Sequence, residues 1–566
     1  MDGFDPNDAP LYAELLRYAA RKEASFHVPG HKDGRFYRNT QGEAPLGFGE
    51  TLELDATEIE GTDDLHDPEG VIREAQRKAA AFFGAEETFF LVGGSTVGNL
   101  ALILTVCASP GDILIVQRNV HKSVLHGLML AGAQAVFVAP ESHPESGIAV
   151  LPGEPTLEEA LDRYPRARGV LVTRPNYYGM SRGIRETARL CHRRGVPLLV
   201  DEAHGAHYGL HPELPASALS EGADGVVQST HKMLAAMTMG AMLHVQGDRL
   251  DRGLLRRRLG MVQSSSPSYP IMASLDLARS LTESRGRAAF DGALEAAAHI
   301  RRELERLPRL GFVRPEPPDG EAGVAAAHGR ADTVRFGGGA ARAYAEQDPL
   351  KIAVYDRRRV LSGYALQRRL AAAGCIAEMS DERRTVLALG PGSGMDDAGR
   401  LVAALRDVQR ELEADAAAAQ AAQDRGSDSP PIPPGSAPGG AGSEPAAFGT
   451  SPPEASDSPA TEDWAPAAFK PESVAGISEP VAFGLTPPGP SEPVALEKAA
   501  GGISAEMIVP YPPGIPLLYA GERLTGDVQR QLLDLREAGA KFQGASDPSL
   551  VTIRMQSGAA EASSTH

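Results

Sequence analysis

The sequence predicts an α/β fold, with a mostly parallel sheet covered by helices on both faces and smaller α+β units after it. Two observations carry this. Short apolar runs alternate with helical patterns from about Leu52 to Gln246, and those runs are continuously apolar rather than alternating. The strand-like runs are Thr88–Val92, Asp112–Val116, Ala135–Val138, Gly169–Thr173, Pro197–Val200, Gly225–Gln228 and Ala241–Val245. Continuous apolarity suits strands buried on both faces, and the helices between them make the connections crossovers. One helix is predicted to start at Asp67-Pro68, a good N-cap followed by proline. It runs through Ile72, Ala75, Ala79 and Phe82 and stops at Gly84.

The pattern turns helical from about Tyr269. Strands at Lys351–Val354 and Thr385–Leu389 flank a helix over Gly363–Ala373, and a last helix carries Leu401, Leu405, Val408 and Leu412 on one face. Composition then shifts to Pro, Gly, Ser, Ala and Glu. A degenerate repeat appears as Ser443-Glu-Pro-Ala-Ala-Phe-Gly449, Ser478-Glu-Pro-Val-Ala-Phe-Gly484 and Ser491-Glu-Pro-Val-Ala495. Too little apolar surface offsets the ordering entropy, so a disordered linker is expected, with docking near Trp464 or Phe483 as the alternative. The expected organisation is an N-terminal segment (1–50), a major domain (51–290), a small α/β domain (291–415), the linker (424–493), a C-terminal unit (495–556) and a disordered tail (557–566).

At 566 residues the chain exceeds one ordinary core. Asp and Glu outnumber Lys and Arg 74 to 56, a net charge of -18 that argues against nucleic acid and suits a cationic small substrate. Three separated cysteines give neither a metal spacing nor a disulfide framework. Neither a leader nor an apolar run long enough to span a bilayer is read, so the expected location is the cytoplasm, with no membrane partner.

Three constellations carry chemistry. Gly93-Gly94-Ser95-Thr96 opens an apolar helix after a strand, where N–H groups and hydroxyls can hold a phosphate, although an ordinary capped glycine turn fits too. Asp201 ends a buried strand in Asp201-Glu-Ala203-His204-Gly-Ala-His207; it can hold a heteroaromatic nitrogen protonated, with a metal site or helix cap as the alternatives. Ser229-Thr230-His231-Lys232 follows another strand, placing an amine beside hydroxyls where it can act as a Schiff-base nucleophile. A surface lysine is the bland alternative, weakened by the other two motifs in the same sheet. His121, after a further strand, can stack on a flat ring or serve as a cap.

In this order the motifs resemble the fold-type-I pyridoxal-phosphate enzymes, in particular the Orn/Lys/Arg decarboxylase family. Further matches are His27-Val-Pro-Gly-His-Lys32, Gly61-Thr-Asp-Asp-Leu-His-Asp-Pro-Glu-Gly70, Ser264 to Asp276, and Pro510-Tyr-Pro-Pro-Gly-Ile-Pro516 with Gly521-Glu522. The resemblance covers about residues 8–410 and 495–555. It implies pyridoxal 5'-phosphate as cofactor, with Lys232 as its Schiff-base lysine, Asp201 on the pyridine nitrogen and His121 on the ring. Gly94, Ser95, Thr96, Ala203, His204, Ser229 and His231 complete the cofactor site. Ser265 or Ser266 would reach the phosphate of a neighbouring subunit, making a homodimer or larger homo-oligomer. The implied reaction is decarboxylation of a basic amino acid, arginine before lysine or ornithine, to a di- or polyamine. Asp63, Glu506 and Glu522 are candidates for the substrate's distal cation. Gly93 and Arg174-Pro-Asn-Tyr-Tyr-Gly179 depart from the family pattern. An aminotransferase or aldolase uses the same lysine and acid, and a non-catalytic relative is the remaining reading.

Overall fold

Leu114, Val116, Leu171, Leu199 and Val227 belong to one buried apolar cluster, while Ile115, Val170, Val172, Leu198 and Val200 belong to another. Neighbours along a strand point to opposite faces, so these strands separate two cores and both faces are dry. The computed structural model describes residues 5–22, 25, 27–29, 31–35, 48–143, 146–314, 346–426, 476–483, 490–511 and 514–557.

The first eight strands are β1 (Glu87–Leu91), β2 (Ile113–Gln117), β3 (Gln134–Val138), β4 (Val170–Thr173), β5 (Met180–Ser181), β6 (Leu198–Asp201), β7 (Gly225–Gln228) and β8 (Ala241–Val245). The main sheet runs β1-β8-β7-β6-β4-β2-β3, with Val481–Ala482 added at the β3 edge. β7, β6, β4, β2 and β3 are mutually parallel, while β8 is antiparallel to both β1 and β7. The C-terminal ends of the parallel strands therefore open on one side, where such sheets bind ligands.

A smaller antiparallel sheet orders Met379–Ser380, Arg384–Ala388, Lys351–Asp356 and Leu310–Phe312. The C-terminal unit pairs Ser491–Ala495 with Thr552–Gln556 and Val509–Tyr511 with Lys541–Gln543, around its own core of Leu496, Ile508, Leu518, Leu524, Leu532, Leu550 and Ile553. It is pinned to the major domain by Arg118. This guanidinium donates to both Glu522 oxygens (2.9 and 3.1 Å), to Pro516 O (3.3 Å) and to the Tyr519 hydroxyl.

One expectation is corrected and one alternative is met in part. The helix predicted from Asp67-Pro68 spans Val71–Phe83. Its start is set by Asp63, whose carboxylate accepts from the N–H groups of Glu69 (3.0 Å), Gly70 (2.9 Å) and Ile72 (2.9 Å). Within the tract expected to be mostly a disordered linker, residues 476–483 dock on the major domain, as the alternative at Phe483 allowed. Val481–Ala482 pairs with Gln134–Ala135 at the sheet edge, and Phe483 is buried against Phe137 and Tyr519. Covering an open edge and burying one aromatic ring is enough to order a few residues of a polar tract. Trp464, the tail over 558–566 and most of the tract lie outside the described residues.

Candidate active site

β7 ends at Gln228, and the chain turns through Ser229 into the short helix Thr230–Met233, which carries Lys232. The Lys232 amine lies 3.1 Å from His204 Nε2 and 5.6 Å from the centre of the Tyr177 ring. Burial pulls its pKa below the usual lysine value, and the charge of Asp201 opposes that pull.

Asp201 is the last residue of β6, the strand beside β7. Its Oδ1 accepts the Ala203 N–H (3.1 Å) and its Oδ2 accepts from Asn99 Nδ2 (2.8 Å). A carboxylate has about four lone-pair sites, so room remains for another donor. Asn99 also donates to Ser123 Oγ (3.0 Å), and Ser123 N–H donates to His121 Nδ1 (3.2 Å). That bond leaves the His121 hydrogen on Nε2. Burial pushes the His121 pKa down to about 4, which keeps the ring neutral.

The helix Gly94–Val106 begins after Gly93, with Ser95 and Thr96 in its first turn and Gly94 at φ +75°. Gly94 N–H donates to Met239 O (2.9 Å), and His231 N–H donates to Gly240 O (3.1 Å), so one short loop ties both hydroxyl-bearing turns together. Ser229 Oγ and Thr230 Oγ1 are buried without a hydrogen-bond partner. Orphaned hydroxyls cost free energy unless a ligand satisfies them. Beside a helix N-terminus, they fit a phosphate. With an amine for an aldehyde and an acid for a ring nitrogen, this donor set fits pyridoxal 5'-phosphate.

Ser95, His121, Asp201, Ala203, His204 and Lys232 line one cavity, joined by Tyr177 and by Ile515 of the C-terminal unit. His231 stands next to it, its Nδ1 donating to Gly240 O (2.9 Å). Thr96, Ser265 and Ser266 are exposed, and the two serines lie between helices Arg252–Val262 and Tyr269–Arg285.

The three carboxylates chosen for the substrate's distal cation have other work here. Asp63 starts a helix, Glu522 holds Arg118, and Glu506 accepts from Ser546 N (2.7 Å), Ser546 Oγ (2.6 Å) and Arg554 N (2.9 Å). Sequence reasoning missed Glu378, an exposed acid whose charge acts on Lys232, His231, Tyr177 and Lys351. It also missed Asn99, although the spacing of four from Ser95 sets both on one helix face.

The metal alternative at His204 and His207 is not supported: His207 Nε2 faces Asp348 Oδ2 at 2.9 Å, His204 lies between two lysines, and no group of three or more metal-ligating side chains occurs among the described residues.

The model for the Orn/Lys/Arg decarboxylase major domain matches residues 9–397, and that for the C-terminal domain of the same family matches residues 469–548. The chain belongs to the Orn/Lys/Arg decarboxylase family. It is 30% identical over 551 residues to the arginine decarboxylase of Bacillus subtilis, covering 97% of this chain and 98% of that protein. A lysine decarboxylase of Pseudomonas aeruginosa is 28% identical over 593 residues, covering 95% of this chain and 76% of that protein. Among solved structures, the lysine decarboxylase of Francisella novicida superposes with a TM-score of 0.71 at 20% identity, covering 97% of this chain and 81% of that one. The major-domain fold is that of the fold-type-I pyridoxal-phosphate enzymes, and the site is built for that cofactor. Among the described residues, no helix is long and apolar enough to cross a membrane.

Proposed function

We propose that this chain decarboxylates a basic L-amino acid, arginine first and lysine or ornithine next, to the corresponding amine and CO2. The observation that carries the reading is the Lys232 amine, set beside Asp201 and followed in space by two orphaned hydroxyls. Support also comes from the near full-length similarity to an arginine decarboxylase.

Bound pyridoxal phosphate supplies the electron sink for the bond broken at Cα. The chain's own residues do the rest. Ser229, Thr230, Ser95 and the first turn of helix Gly94–Val106 bind the phosphate. Asp201, anchored by Asn99 and Ala203, offers its remaining lone pairs to a nitrogen N–H, and its fixed charge stabilises negative charge developing at the reacting carbon. The neutral His121 ring orients a flat partner. Ile515 and Gly514 narrow the approach, with Gly514 O accepting from Lys122 N (3.2 Å). His231 donates its Nδ1 hydrogen to Gly240 O, which leaves Nε2 bare in the neutral ring. Lys232, rather than His231, is therefore the group that returns a proton to Cα.

Glu378 is the proposed partner of the distal cation, because its carboxylate is exposed and its charge reaches the Lys232 amine. Assembly as a homodimer or larger homo-oligomer would let Ser265 or Ser266 serve a neighbour's phosphate, and their exposure here supports that assignment. The cytoplasm is the proposed location, in keeping with free thiols at Cys107, Cys191 and Cys375.

The test is incubation of the holoenzyme with each basic amino acid, with mass spectrometry of the product and trapping of CO2. Agmatine, cadaverine or putrescine with stoichiometric CO2 is expected. A keto acid without CO2 would point to an aminotransferase and overturn the reading.

A further inference from the structure

Two lysines face the two ring nitrogens of one buried histidine. Lys232 Nζ lies 3.1 Å from His204 Nε2, and Lys351 Nζ lies 3.3 Å from His204 Nδ1. Lys351 is 1% exposed, at the start of the strand Lys351–Asp356 in the small domain. It is held there from two sides. Arg301 donates to its carbonyl (3.1 Å), and Gly179 leaves room for it, since a Cβ at that position would sit 2.6 Å from Lys351 Cβ.

The donor count at His204 is restrictive. A neutral imidazole has one N–H and one bare nitrogen, an ammonium only donates, and a neutral amine can accept. Both contacts can be hydrogen bonds only if the lysine facing the imidazole N–H is a neutral amine, while the lysine facing the bare nitrogen donates to it. His204 itself stays neutral, because burial pushes its pKa well below the usual histidine value and the charge of Lys351 adds to that push. Lys232 must offer a lone pair to an aldehyde, so it takes the neutral role.

We propose that Lys351 is a positioning residue for the reaction: its ammonium donates to His204 Nδ1, fixes the hydrogen on Nε2, and so keeps Lys232 a neutral amine with a proton in reserve. The transfer balances without another reactant. As Lys232 is set free, the Lys351 ammonium gives a proton to Nδ1 while the Nε2 hydrogen passes to Lys232 Nζ. The imidazole is neutral before and after, and one positive charge has moved from Lys351 to Lys232. The groups facing Lys232 are His204, Asp201, Lys351, Glu378, His121, His231 and the Tyr177 ring. Those facing Lys351 are His204, Glu378 and Asp348, whose Oδ2 pairs with His207 Nε2 at 2.9 Å. Burial pulls the Lys351 pKa below the usual lysine value, and the charges of Glu378 and Asp348 oppose that pull and favour its ammonium.

This rests on the reading of Lys232 as the cofactor lysine, and the test needs no substrate, so the two can fail separately. The pH titration of the cofactor's visible absorbance band in the holoenzyme reports the protonation of the nitrogen at position 232. Lys351→Met and Lys351→Gln remove a nearby positive charge that holds that nitrogen's pKa down, so the midpoint should rise by about one pH unit. Lys351→Arg keeps the charge and should leave the midpoint close to that of the unaltered enzyme. An unmoved midpoint in either neutral variant with its cofactor bound overturns the proposal. So does loss of folded holoenzyme in both neutral variants while Lys351→Arg alone folds with its midpoint displaced as far as expected for charge removal.

Discussion

Arg118 and His121 leave the same strand end three residues apart, yet they serve two regions built on opposite rules. Arg118 enters a junction where Glu522, Pro516 O and the Tyr519 hydroxyl accept its donors, while the Tyr519 hydroxyl donates back to Arg118 O (3.0 Å). His121 enters the pocket of Lys232, where two hydroxyls have no partner and a single imidazole faces two lysines. The first region spends the terminal nitrogens of Arg118 on holding the C-terminal unit in place, although Arg118 Nε has no partner. The second leaves polar groups unsatisfied, which costs stability and creates a demand that only a ligand meets.

The largest effect that can break this contrast comes from the pocket. Lys232→Ala should lower turnover by at least about 10³-fold, because the nucleophile and the proton donor vanish together. Its thermal unfolding, measured without cofactor, should match or exceed that of the unaltered chain. Full activity in this variant would end the functional reading. The converse holds at the junction. Arg118→Met leaves Glu522 without its cation and should cost about 3 kcal/mol. Denaturant unfolding and protease sensitivity of the C-terminal unit check this, and an unchanged midpoint would show that the unit is held by its apolar contacts alone.

A third effect sits beneath the pocket, in the sheet itself. Gln228 Nε2 donates to Glu202 Oε2 (2.9 Å), so its oxygen faces His244 Nε2–H (3.1 Å), and Thr88 Oγ1 donates to His244 Nδ1 (2.8 Å). Burial lowers the His244 pKa to about 3. The folded value lies below the unfolded value of about 6.5, so on acidification the unfolded chain takes a proton that the folded chain refuses. Stability should therefore fall as pH drops from about 6.5 toward 3, with a slope of up to about 1.4 kcal/mol per pH unit from this residue. His244→Gln should flatten the pH dependence of Tm in that window, and an equally steep profile would refute the assignment.

The contrast also explains which features were legible in the sequence. The strands were readable because a sheet with two dry faces needs near-continuous apolar runs, and Asp201 and Lys232 stood at the ends of such runs. The helix start at Val71 was misplaced because its capping carboxylate, Asp63, comes from outside the helix by way of an intervening loop. Docking near Phe483 was the alternative the sequence offered for its Pro- and Ser-rich tract, but composition says nothing about the open edge of β3 that the tract covers. Lys351 read as the first residue of a strand, since only the fold brings it to His204 across 147 positions. Glu378 gave no local signal at all. It precedes the two-residue strand Met379–Ser380, and its importance comes from the amines facing it in space.

Glu378 gives the smallest effect and sharpens the contrast most finely, because this acid near the pocket lies exposed to solvent rather than buried in a network. An exposed carboxylate meeting a cation in water contributes modestly. Glu378→Gln should therefore raise KM for arginine, lysine and ornithine by about fivefold and leave kcat within about twofold. Added salt should raise the KM of the unaltered enzyme in the same direction, as screening weakens an exposed pair. A substrate analogue with an uncharged side-chain end should lose this sensitivity to the substitution. If the KM for all three cationic substrates stays put, the distal cation is held elsewhere. A fall in kcat without a change in KM would instead place Glu378 with the lysine pair, where its charge supports the ammonium of Lys351.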